Sequence, residues 1–588
     1  INGVQTGAVL VTDPRTGAIV AMVGSPDFFD EDIDGQNNNT LSFQQPGSAI
    51  KPVVYADALA GNPGDYYTPA SILWDVPTNY PLSNGTTYTP VNFDNRNRGP
   101  IPVRFALAQS LNIPAVKTYL DFNDQPFTPQ SFIEMGNAMG IEFDPDGDGE
   151  QQAAFGLATA LGSVEISLMD LTQAYGTIAN DGVRVEPYAV ESITEGDTEV
   201  AVPLSIAASE GSQALSAQVA YLLQDILSDN NARSATVNDV PSTFPAQSPI
   251  AGSALGLANQ LQVAAKTGTN NTENGDPSRL WTVGFTNNYA VGVWIGSLNQ
   301  GTALSGNITG LTAASPIWNA VMQEALNGVN PGNFDRPGGV QAVNVCRLTG
   351  TLSDGDTNCP FVVSELVFNQ QPPPPATDGF VATRQIDSWT GLLANEFCSE
   401  NVIERTFADI ADPFAVQWLN GTTRGQQILN QLGLPQNLPS APQQACQNGQ
   451  GIPTVRINFP SANSTVSEDV SITGQISTPN NLQRWELLIA PINTENFQSI
   501  LTQPRTDQVQ TAGTVLTEWD SRTVDNGQYT LRLAAFSTVN GGFVNVDVPI
   551  TVQNVPPTPT PTPTQPPATV APIISPIPFD LPTATPGS

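Results

Sequence analysis

Three short motifs combine hydroxyl, amine and amide side chains in an order that could build one active site. They are Ser48-Ala-Ile-Lys51, Ser110-Leu-Asn112 and Lys266-Thr-Gly-Thr269. The chain contains no histidine, so a serine nucleophile cannot use imidazole as its base and a Ser-His-Asp triad is excluded. Lysine is the remaining suitable partner, and a Ser-x-x-Lys motif supplies it three residues after the serine.

The first motif is expected at the start of a helix, directly after Pro46 and Gly47. A separation of three residues brings Lys51 onto the helical face that carries Ser48, and the helix dipole would favour a developing alkoxide. For the amine to accept a proton, its pKa must fall from about 10.4 through burial and a nearby positive charge. Lys266 is the natural source of that charge. Taken alone, Ser-x-x-Lys more often marks an exposed turn with a solvated lysine.

The second motif places two polar side chains two residues apart, which can face one cleft only outside a regular helix. The sequence therefore predicts a break between two helices at Ser110–Asn112. Asn112 offers a donor and an acceptor suited to a peptide amide, and Ser110 could pass a proton between the lysines and a leaving group. Taken alone, the motif fits equally a capping serine followed by an asparagine.

The third motif follows an apolar run that is typical of a strand. A substrate peptide could add to the edge of that strand through main-chain hydrogen bonds. Gly268 would allow close approach, while Lys266, Thr267 and Thr269 could hold a carboxylate. The backbone N–H groups of Ser48 and Thr269 could form an oxyanion hole. The alternative is an ordinary lysine where a strand turns.

The elements that must position these motifs indicate an α+β core. A hairpin is predicted over residues 7–24, because two β-rich runs flank an Asp-Pro-Arg-Thr-Gly turn. Strands at both ends of a mostly helical region imply an antiparallel sheet that closes late in the sequence. Further strands are predicted over 261–286 and 289–297, and helices over 48–59, 101–120, 155–179 and 315–326, the last with Ser315 as its cap and Pro316 in its first turn.

The rest of the chain divides by composition. We expect an α+β core over 1–330 and an irregular, cysteine-containing extension over 331–450. Short alternating runs over 453–554 predict a small β-sandwich. The Pro/Thr-rich tail over 555–588 is expected to be extended and unpacked.

Composition bounds the partners and the compartment. Twenty Lys and Arg against 54 Asp and Glu give a net charge of −34, which argues against nucleic acid and anionic membrane as partners. Four cysteines in one region suggest disulfides in an oxidising compartment, with three possible connectivities and four reduced thiols as the alternative. Without histidine or a Cys-x-x-Cys pair, a zinc site is not expected. The cysteines are Cys346, Cys359, Cys398 and Cys446.

The start of the chain and one acidic loop carry weaker indications. No apolar run reaches the ~18–20 residues that cross a bilayer, and the chain starts at Ile1, so we expect a processed piece whose membrane anchor would lie upstream. Asp144, Asp146 and Asp148 match the first, third and fifth positions of a calcium-binding loop, but the twelfth position is Phe155 instead of glutamate. A solvated acidic turn is the preferred interpretation of those three residues.

The first 330 or so residues resemble the transpeptidase domain of penicillin-binding proteins, and more closely that of the class A, bifunctional type. Ile50 stands where an aromatic residue is common in the family, which affects packing more than chemistry. Beyond the three motifs, the matching segments are Gln45-Pro-Gly-Ser-Ala-Ile-Lys-Pro-Val-Val-Tyr, Tyr67-Thr-Pro-Ala-Ser-Ile-Leu, Asn92-Phe-Asp-Asn, Gly99-Pro-Ile-Pro-Val-Arg104, Ala160-Leu-Gly-Ser-Val-Glu, Trp281-Thr-Val-Gly-Phe-Thr and Val293-Trp-Ile-Gly.

The resemblance implies a β-lactamase/transpeptidase-like fold, with an antiparallel sheet flanked by helices and a helical subdomain. It implies that Ser48 attacks peptidoglycan stem peptides ending in D-Ala-D-Ala, with Lys51 as general base and no cofactor. An amine of a neighbouring stem would resolve the acyl-enzyme, and β-lactams would trap Ser48. The alternatives are a D,D-carboxypeptidase, a β-lactamase-like hydrolase, or a wall-binding or β-lactam-sensing module without turnover.

The resemblance also implies a location in the bacterial cell envelope, outside the cytoplasm. Class A proteins carry an N-terminal membrane helix and a glycosyltransferase domain, and neither is recognisable in this sequence. The expectation is an extracytoplasmic piece of a protein anchored in the cytoplasmic membrane. The β-sandwich and the tail are expected additions that contact an envelope partner the sequence does not identify.

Overall fold

The computed structural model describes most of the chain. Positions outside the described residues include the acidic segment weighed as a calcium loop, 144–150, and the tail, 555–588. The chain forms two compact units, 1–384 with 405–441 and 385–404 with 442–588. The described residues are 3–62, 64–123, 129–143, 155–195, 198–200, 210–244, 262–272, 274–297, 302–306, 308–353, 355, 359–376, 379–398, 402–447, 454–476, 482–504, 513–538 and 542–554.

The described helices and strands follow in chain order. The helices are α1 (Lys51–Leu59), α2 (Val103–Ala108), α3 (Asn112–Phe122), α4 (Gln130–Met139), α5 (Leu168–Ala179), α6 (Ala217–Ser228), α7 (Asn230–Ser234), α8 (Ser315–Ala325), α9 (Pro413–Gly421) and α10 (Thr423–Gln431). Short 3-10 helices cover Glu31–Ile33, Gly47–Ile50, Leu157–Leu161 and Ser521–Thr523, and one π-helical turn covers Gly310–Ala314. The strands are β1 (Thr6–Thr12), β2 (Ile19–Val23), β3 (Ile72–Asp75), β4 (Tyr80–Pro81), β5 (Thr87–Tyr88), β6 (Gly99–Pro102), β7 (Val183–Arg184), β8 (Ile193–Glu195), β9 (Thr198–Val200), β10 (Ser212–Gln213), β11 (Ala264–Asn271), β12 (Pro277–Phe285), β13 (Ala290–Gly296), β14 (Val340–Cys346), β15 (Val362–Phe368), β16 (Val381–Asp387), β17 (Val402–Ala408), β18 (Val455–Phe459), β19 (Ser464–Val466), β20 (Asp469–Ile476), β21 (Leu482–Pro491), β22 (Gln498–Pro504), β23 (Thr514–Asp520), β24 (Gly527–Ser537) and β25 (Phe543–Val552).

The first unit is built on a five-stranded sheet with the order β11-β12-β13-β1-β2. All its pairings are antiparallel, which confirms the predicted hairpin and the late closure of the sheet. The single strand predicted over 261–286 is wrong, because this segment holds both β11 and β12. Gly275 donates to the Thr272 carbonyl oxygen at 2.9 Å, so an Asn-Gly turn signal separates the two strands.

Helices cover both faces of this sheet. One buried cluster joins Trp281, Trp294 and Phe285 to Tyr175 on α5 and to α1. A second cluster on the sheet joins Val291 and Val293 to Trp318 on α8. Because each face is covered, β13 is buried at every position, as expected for a continuous apolar run. These two layers of helix confirm the predicted α+β architecture.

The predicted helix break is confirmed, and one predicted cap is wrong. α2 ends at Ala108 and α3 begins at Asn112, with Ser110 between them in the left-handed conformation at φ 59°. Ser315 does not cap α8. Its buried hydroxyl donates to the Gly310 carbonyl oxygen at 3.1 Å, and the preceding π turn is capped instead by the side chain of Thr309.

Residues 331–441 are more regular than their sequence suggests. They contain the β14–β15 pair and the helices α9 and α10, which pack in one cluster with Trp74 of β3. Their strands alternate weakly and β15 is followed by a proline-rich connection, so periodicity alone does not reveal them. The chain leaves the first unit within β16 and returns to it within β17.

The second unit contains two sheets around one core, which confirms the predicted β-sandwich. A three-stranded sheet has the order β18-β20-β23, and a five-stranded sheet has the order β19-β25-β24-β21-β22. Trp485, Trp519 and Leu533 lie in their common core. Inward residues alternate with outward ones along β20, as expected when only one face of a sheet is buried.

The four cysteines form two disulfides, Cys346–Cys359 and Cys398–Cys446, so the alternative of four reduced thiols is wrong. Within the described residues, one group of candidate metal ligands consists of Asp387 with Cys398 and Cys446, but the two sulfurs of that group are bonded to each other. None of the described helices is long and apolar enough to cross a bilayer.

Candidate active site

Ser48 lies in the one-turn 3-10 helix that leads into α1, where it is partly exposed. The preceding Gly47 has φ +55°, a left-handed conformation that glycine adopts without strain. A Cβ atom at Gly47 would also lie 2.6 Å from the Thr269 carbonyl oxygen. Glycine therefore allows the turn that carries Ser48 to lie against the third motif.

Three groups outside the motifs hold this turn in place. The Tyr175 hydroxyl donates to the Ala49 carbonyl oxygen at 2.7 Å, and the Trp281 indole donates to that of Gln45 at 2.9 Å. The Gly47 N–H donates to the Gly162 carbonyl oxygen at 3.3 Å. Since Tyr175 and Trp281 are both fully buried, the main chain around Ser48 is held by rigid parts of the core.

Lys51 points into the protein and connects the first motif to the second. Its side chain is 0% exposed. Its amine donates to the Ser110 carbonyl oxygen at 2.7 Å and to Asn112 Oδ1 at 2.7 Å, and it lies 3.5 Å from Ser110 Oγ. Within the described part of the chain, no hydrogen bond joins this amine to the Ser48 hydroxyl.

Lys266 connects the third motif to the same serine. Its amine donates to Ser110 Oγ at 2.7 Å and to the Thr267 carbonyl oxygen at 2.9 Å. Ser110 Oγ therefore lies between the amines of Lys51 and Lys266. The left-handed backbone at Ser110 lets its hydroxyl and its carbonyl oxygen both reach into the lysine cluster.

The two amines are placed where their protonated forms are disfavoured. Burial, and then the nearby charge of Lys266, lower the pKa of Lys51 well below its ordinary value. Burial, and then the nearby charge of Arg233, lower the pKa of Lys266 to about 7. The direction agrees with the expectation for Lys51, because desolvation and like charge both favour a neutral amine.

Arg233 is a buried cation of this region that sequence reasoning missed. Its guanidinium donates to the Ala265 carbonyl oxygen at 3.3 Å, directly before Lys266 in β11. The side chain of Gln109, just before Ser110, donates to two carbonyl oxygens of the same region, at Ala232 and Ala235. A single arginine in a polar stretch gives no sequence signal for this role.

The third motif lies on β11, an edge strand among the described strands of the sheet. A Cβ atom at Gly268 would overlap the Pro46 carbonyl oxygen, so the close approach at this glycine is to the Ser48 turn. The expectation that Gly268 lets a ligand approach closely stays a prediction. The Thr269 hydroxyl accepts from the Gly310 N–H at 3.0 Å.

Thr269 and Ser48, whose N–H groups are predicted to form an oxyanion hole, belong to adjoining segments, because the main chain of Thr269 lies against Gly47. Thr267 and Lys266 are buried beside them. The structure thus brings the three predicted motifs into one cluster, with Ser48, Ser110, Asn112 and Thr269 partly exposed above two buried amines.

Comparison with known proteins identifies the family to which this chain belongs. Residues 7–323 match the family model described as "Penicillin binding protein transpeptidase domain". The chain therefore belongs to the penicillin-binding protein transpeptidase family, and its fold is the β-lactamase/transpeptidase-like fold predicted from the motifs. The relatives support the predicted likeness to the transpeptidase portion of class A proteins.

The chain is 30% identical over 346 residues to penicillin-binding protein 1A of Neisseria lactamica, covering 58% of this chain and 38% of that protein. It is 28% identical over 359 residues to penicillin-binding protein 1A of Rickettsia bellii, covering 59% of this chain and 41% of that protein. The chain thus spans about two fifths of the length of these relatives.

A solved structure supports the fold. The crystal structure of penicillin-binding protein 1A from Haemophilus influenzae matches with a TM-score of 0.51 and 22% sequence identity, covering 63% of this chain and 55% of that chain. At this level of identity the likeness concerns the fold alone.

Proposed function

We propose that residues 1–330, within the first unit, form a serine-type D,D-transpeptidase that cross-links peptidoglycan stem peptides and that β-lactams inhibit by acylating Ser48. The observation that carries this proposal is the position of Ser110 Oγ, 2.7 Å from the amine of Lys266 and 3.5 Å from that of Lys51. Two buried amines joined through a hydroxyl form a path for protons beneath a partly exposed serine.

In the acylation step, the Ser48 hydroxyl oxygen attacks the carbonyl carbon between the two terminal D-Ala residues. The neutral amine of Lys51 takes the hydroxyl proton, and the N–H groups of Ser48 and Thr269 stabilise the oxyanion. Ser110 passes a proton to the nitrogen of the terminal D-Ala, whose C–N bond breaks. The products are an ester on Ser48 and free D-Ala.

In the second step, an amine of a neighbouring stem attacks the ester carbonyl. The new amide forms the cross-link, the bond to Ser48 Oγ breaks, and the amine proton returns to the serine through the same lysine and hydroxyl groups. The serine proton leaves on the amine of D-Ala in the first step and the acceptor amine returns a proton in the second, so the cycle balances without a metal or cofactor.

The third motif and Asn112 are proposed to hold the substrate. The edge strand β11 offers main-chain groups to an extended peptide, and Lys266, Thr267 and Thr269 provide an amine and two hydroxyls for the terminal carboxylate. Gly268 contributes by letting β11 lie against the Ser48 turn. Asn112 presents an amide to the peptide backbone of the donor stem.

The proposed setting is the bacterial cell envelope, outside the cytoplasm, with the parent protein anchored in the cytoplasmic membrane through a segment upstream of this chain. We assign the transpeptidase to residues 1–330, an extension to 331–450, a sandwich to 453–554 and a tail to 555–588. The sandwich and tail would meet an envelope partner. The support is the relationship to penicillin-binding proteins 1A and the two disulfides, which suit an oxidising compartment.

Labelling with fluorescent penicillin tests the proposal. The wild-type chain should form a covalent adduct on the peptide that contains Ser48, and Ser48→Ala should form none while its circular dichroism spectrum is unchanged. A Ser48→Ala variant that still reacts covalently would show that the nucleophile is assigned wrongly. A wild-type chain without any adduct would exclude every acylating function.

Products from stem peptides then separate transpeptidation from the alternatives. Mass spectrometry should find a cross-linked dimer together with released D-Ala. D-Ala without a dimer would indicate a carboxypeptidase, rapid loss of the penicillin adduct a β-lactamase, and a stable adduct without either peptide product a sensing module.

A further inference from the structure

The second motif is held by an asparagine that belongs to none of the three motifs. Asn92 is 3% exposed, and its Oδ1 accepts from the N–H groups of Asn112 at 2.8 Å and Ile113 at 3.4 Å. These are the first amides of α3, which have no partner inside the helix. Leu111, at the capping position, has no side-chain oxygen, so Asn92 supplies the cap from another segment.

The side-chain nitrogen of Asn92 donates both of its N–H groups. It donates to Asp75 Oδ1 at 2.7 Å and to the Arg96 carbonyl oxygen at 2.8 Å. Both of these partners only accept, whereas the amides at the start of α3 only donate. The orientation of the Asn92 amide therefore follows from its neighbours, and reversing it would break every one of these bonds.

The residue next to Asn92 orients the side chain of Asn112. The nitrogen of that side chain donates to the Val91 carbonyl oxygen at 2.8 Å, which leaves Oδ1 to accept from the Lys51 amine at 2.7 Å. With the amide reversed, two donors would face each other at Lys51. Val91 and Asn92 thus set both the main chain and the side chain of Asn112.

Asp75 anchors this arrangement in the core. It is 0% exposed, and its second oxygen accepts from the Arg98 N–H at 2.9 Å. Asp75 ends β3, which pairs with β6 through the partners Asp75 and Gly99. The Arg98 guanidinium, also buried, lies 3.8 Å from the carboxylate and balances its charge. The support for Asn92 therefore lies on a sheet separate from the one that carries β11.

We propose that Asp75 and Asn92 are positioning residues of the active site, which hold Asn112 so that its side-chain oxygen faces the Lys51 amine. This inference rests on the proposed transpeptidase function, because it assigns these residues to the acylation step. Neither residue contacts the reacting atoms. They act through the start of α3 and therefore through Ser110 and Asn112.

Exchanging the two side chains provides the test. Asn92→Asp places two carboxylates in contact and should slow acylation by fluorescent penicillin at least about tenfold at pH 8, since like charges at hydrogen-bond distance repel. Asp75→Asn should also slow it, because two amide nitrogens would compete for one position. In the double variant, the amide at position 75 can donate to the carboxylate at position 92, so the rate should recover at least about threefold from that of Asn92→Asp, although the Arg96 carbonyl oxygen still loses its donor.

The pH dependence of the single variant separates positioning from general damage. At low pH the two carboxyls of Asn92→Asp can share one proton, and the protonated oxygen can donate to Asp75 as the amide does. The rate relative to wild type should therefore improve towards pH 5 and worsen towards pH 8. The charged and titratable groups facing this pair are Arg98, Lys117 and Tyr55 near Asp75 and the Lys51 amine beyond Asn112, and all four remain in every variant.

Asn123→Asp is the matched control. Asn123 lies at the other end of α3 and is 5% exposed. Its amide donates to the Tyr119 carbonyl oxygen and accepts from the Phe132 N–H, and it also bonds to a largely buried carboxylate, that of Asp57. This variant disturbs a similar pair far from the motifs, so it should lower the melting temperature while leaving the pH profile of acylation unchanged.

Each outcome decides between the two proposals. If the wild type forms no adduct, the transpeptidase function and the positioning role fall together. If the wild type reacts and Asn92→Asp matches its rate from pH 5 to 8, only the positioning role is overturned. It is also overturned if the exchange restores the melting temperature without the rate, or if Asn123→Asp changes the pH profile as Asn92→Asp does.

Discussion

The inner strands β12 and β13 of the first unit's five-stranded sheet are buried on both faces, whereas the five-stranded sheet of the second unit is buried on one. In the first, β12 and β13 are buried at nearly every position, and the edge strand β11 carries Lys266 at 3% exposure. In the second, β24 and β25 carry the partly exposed pair Arg532–Asp547. A five-stranded sheet thus places the basic side chain of Lys266 in a desolvated environment in the first unit and that of Arg532 in a hydrated environment in the second.

The difference matters for chemistry. A buried amine without a carboxylate partner loses hydration and favours its neutral form, which can accept a proton. Lys266 shows this effect, with a pKa lowered to about 7. In contrast, the carboxylate of Asp547 keeps the pKa of Arg532 above its ordinary value, so that side chain stays charged. Only the first environment can supply a base.

The largest expected difference between the two environments is in acylation. Lys51→Met should slow the reaction with fluorescent penicillin by about 10³-fold or more, because it removes the proposed base. Arg532→Met, a similar loss of a cation in the second unit, should leave the rate unchanged. Acylation by Lys51→Met within tenfold of the wild-type rate would show that the buried amine is not the base.

The second largest expected effect is on the dependence of stability on pH. The folded state holds the pKa of Lys266 near 7, while the unfolded chain holds it near 10.4. Between these values the unfolded chain binds more protons, so the free energy of unfolding rises with pH, by up to about 1.4 kcal/mol per unit from this group. Lys266→Met should remove this part of the slope.

Urea unfolding followed by tryptophan fluorescence gives the free energy of unfolding at pH 7, 8 and 9. The slope of this free energy against pH is then compared between wild type and Lys266→Met. Arg532→Met is the control, because arginine stays protonated throughout this range in both states. An identical slope in wild type and Lys266→Met would contradict the lowered pKa of Lys266.

The smallest expected effect is the coupling between Arg532 and Asp547. Their side chains are 22% and 37% exposed and lie 2.7 Å apart, and exposed ion pairs contribute only about 0.2–1 kcal/mol. A double-mutant cycle with Arg532→Ala and Asp547→Ala should give a coupling in this range that weakens in 0.5 M salt. A coupling above about 2 kcal/mol would mean that this outer face is less hydrated than its exposure indicates.

Sequence patterns predicted elements well where a local signal was strong. The hairpin over 7–24, the break at Ser110 and the alternating strands of the sandwich all follow from turn residues or period-two burial. Prediction failed where a tertiary contact replaced the local one. Ser315 looks like a helix cap, but its hydroxyl is taken by Gly310 and Thr282 inside the core.

The candidate site shows the same division. Its eight residues were predictable because three motifs in a fixed order carry the hydroxyls and amines that the chemistry needs. The roles of Asn92, Arg233 and Tyr175 were not, since each acts through a hydrogen bond to a residue more than 15 positions away. The contact between Gly268 and the Pro46 carbonyl oxygen was likewise not predictable, because that atom comes from the distant Ser48 turn.

The sequence by itself indicated Ser48 as the candidate nucleophile, pointed to lysine as its partner because histidine is lacking, and fixed the order of the motifs. These are properties of residue type and spacing, which need no knowledge of distant neighbours. Only the tertiary structure decided which amine contacts which hydroxyl, which cysteines pair, and which buried side chains hold Asn112. Burial, like charge and hydrogen-bond direction arise between segments that the fold brings together, so they cannot be obtained from local sequence alone.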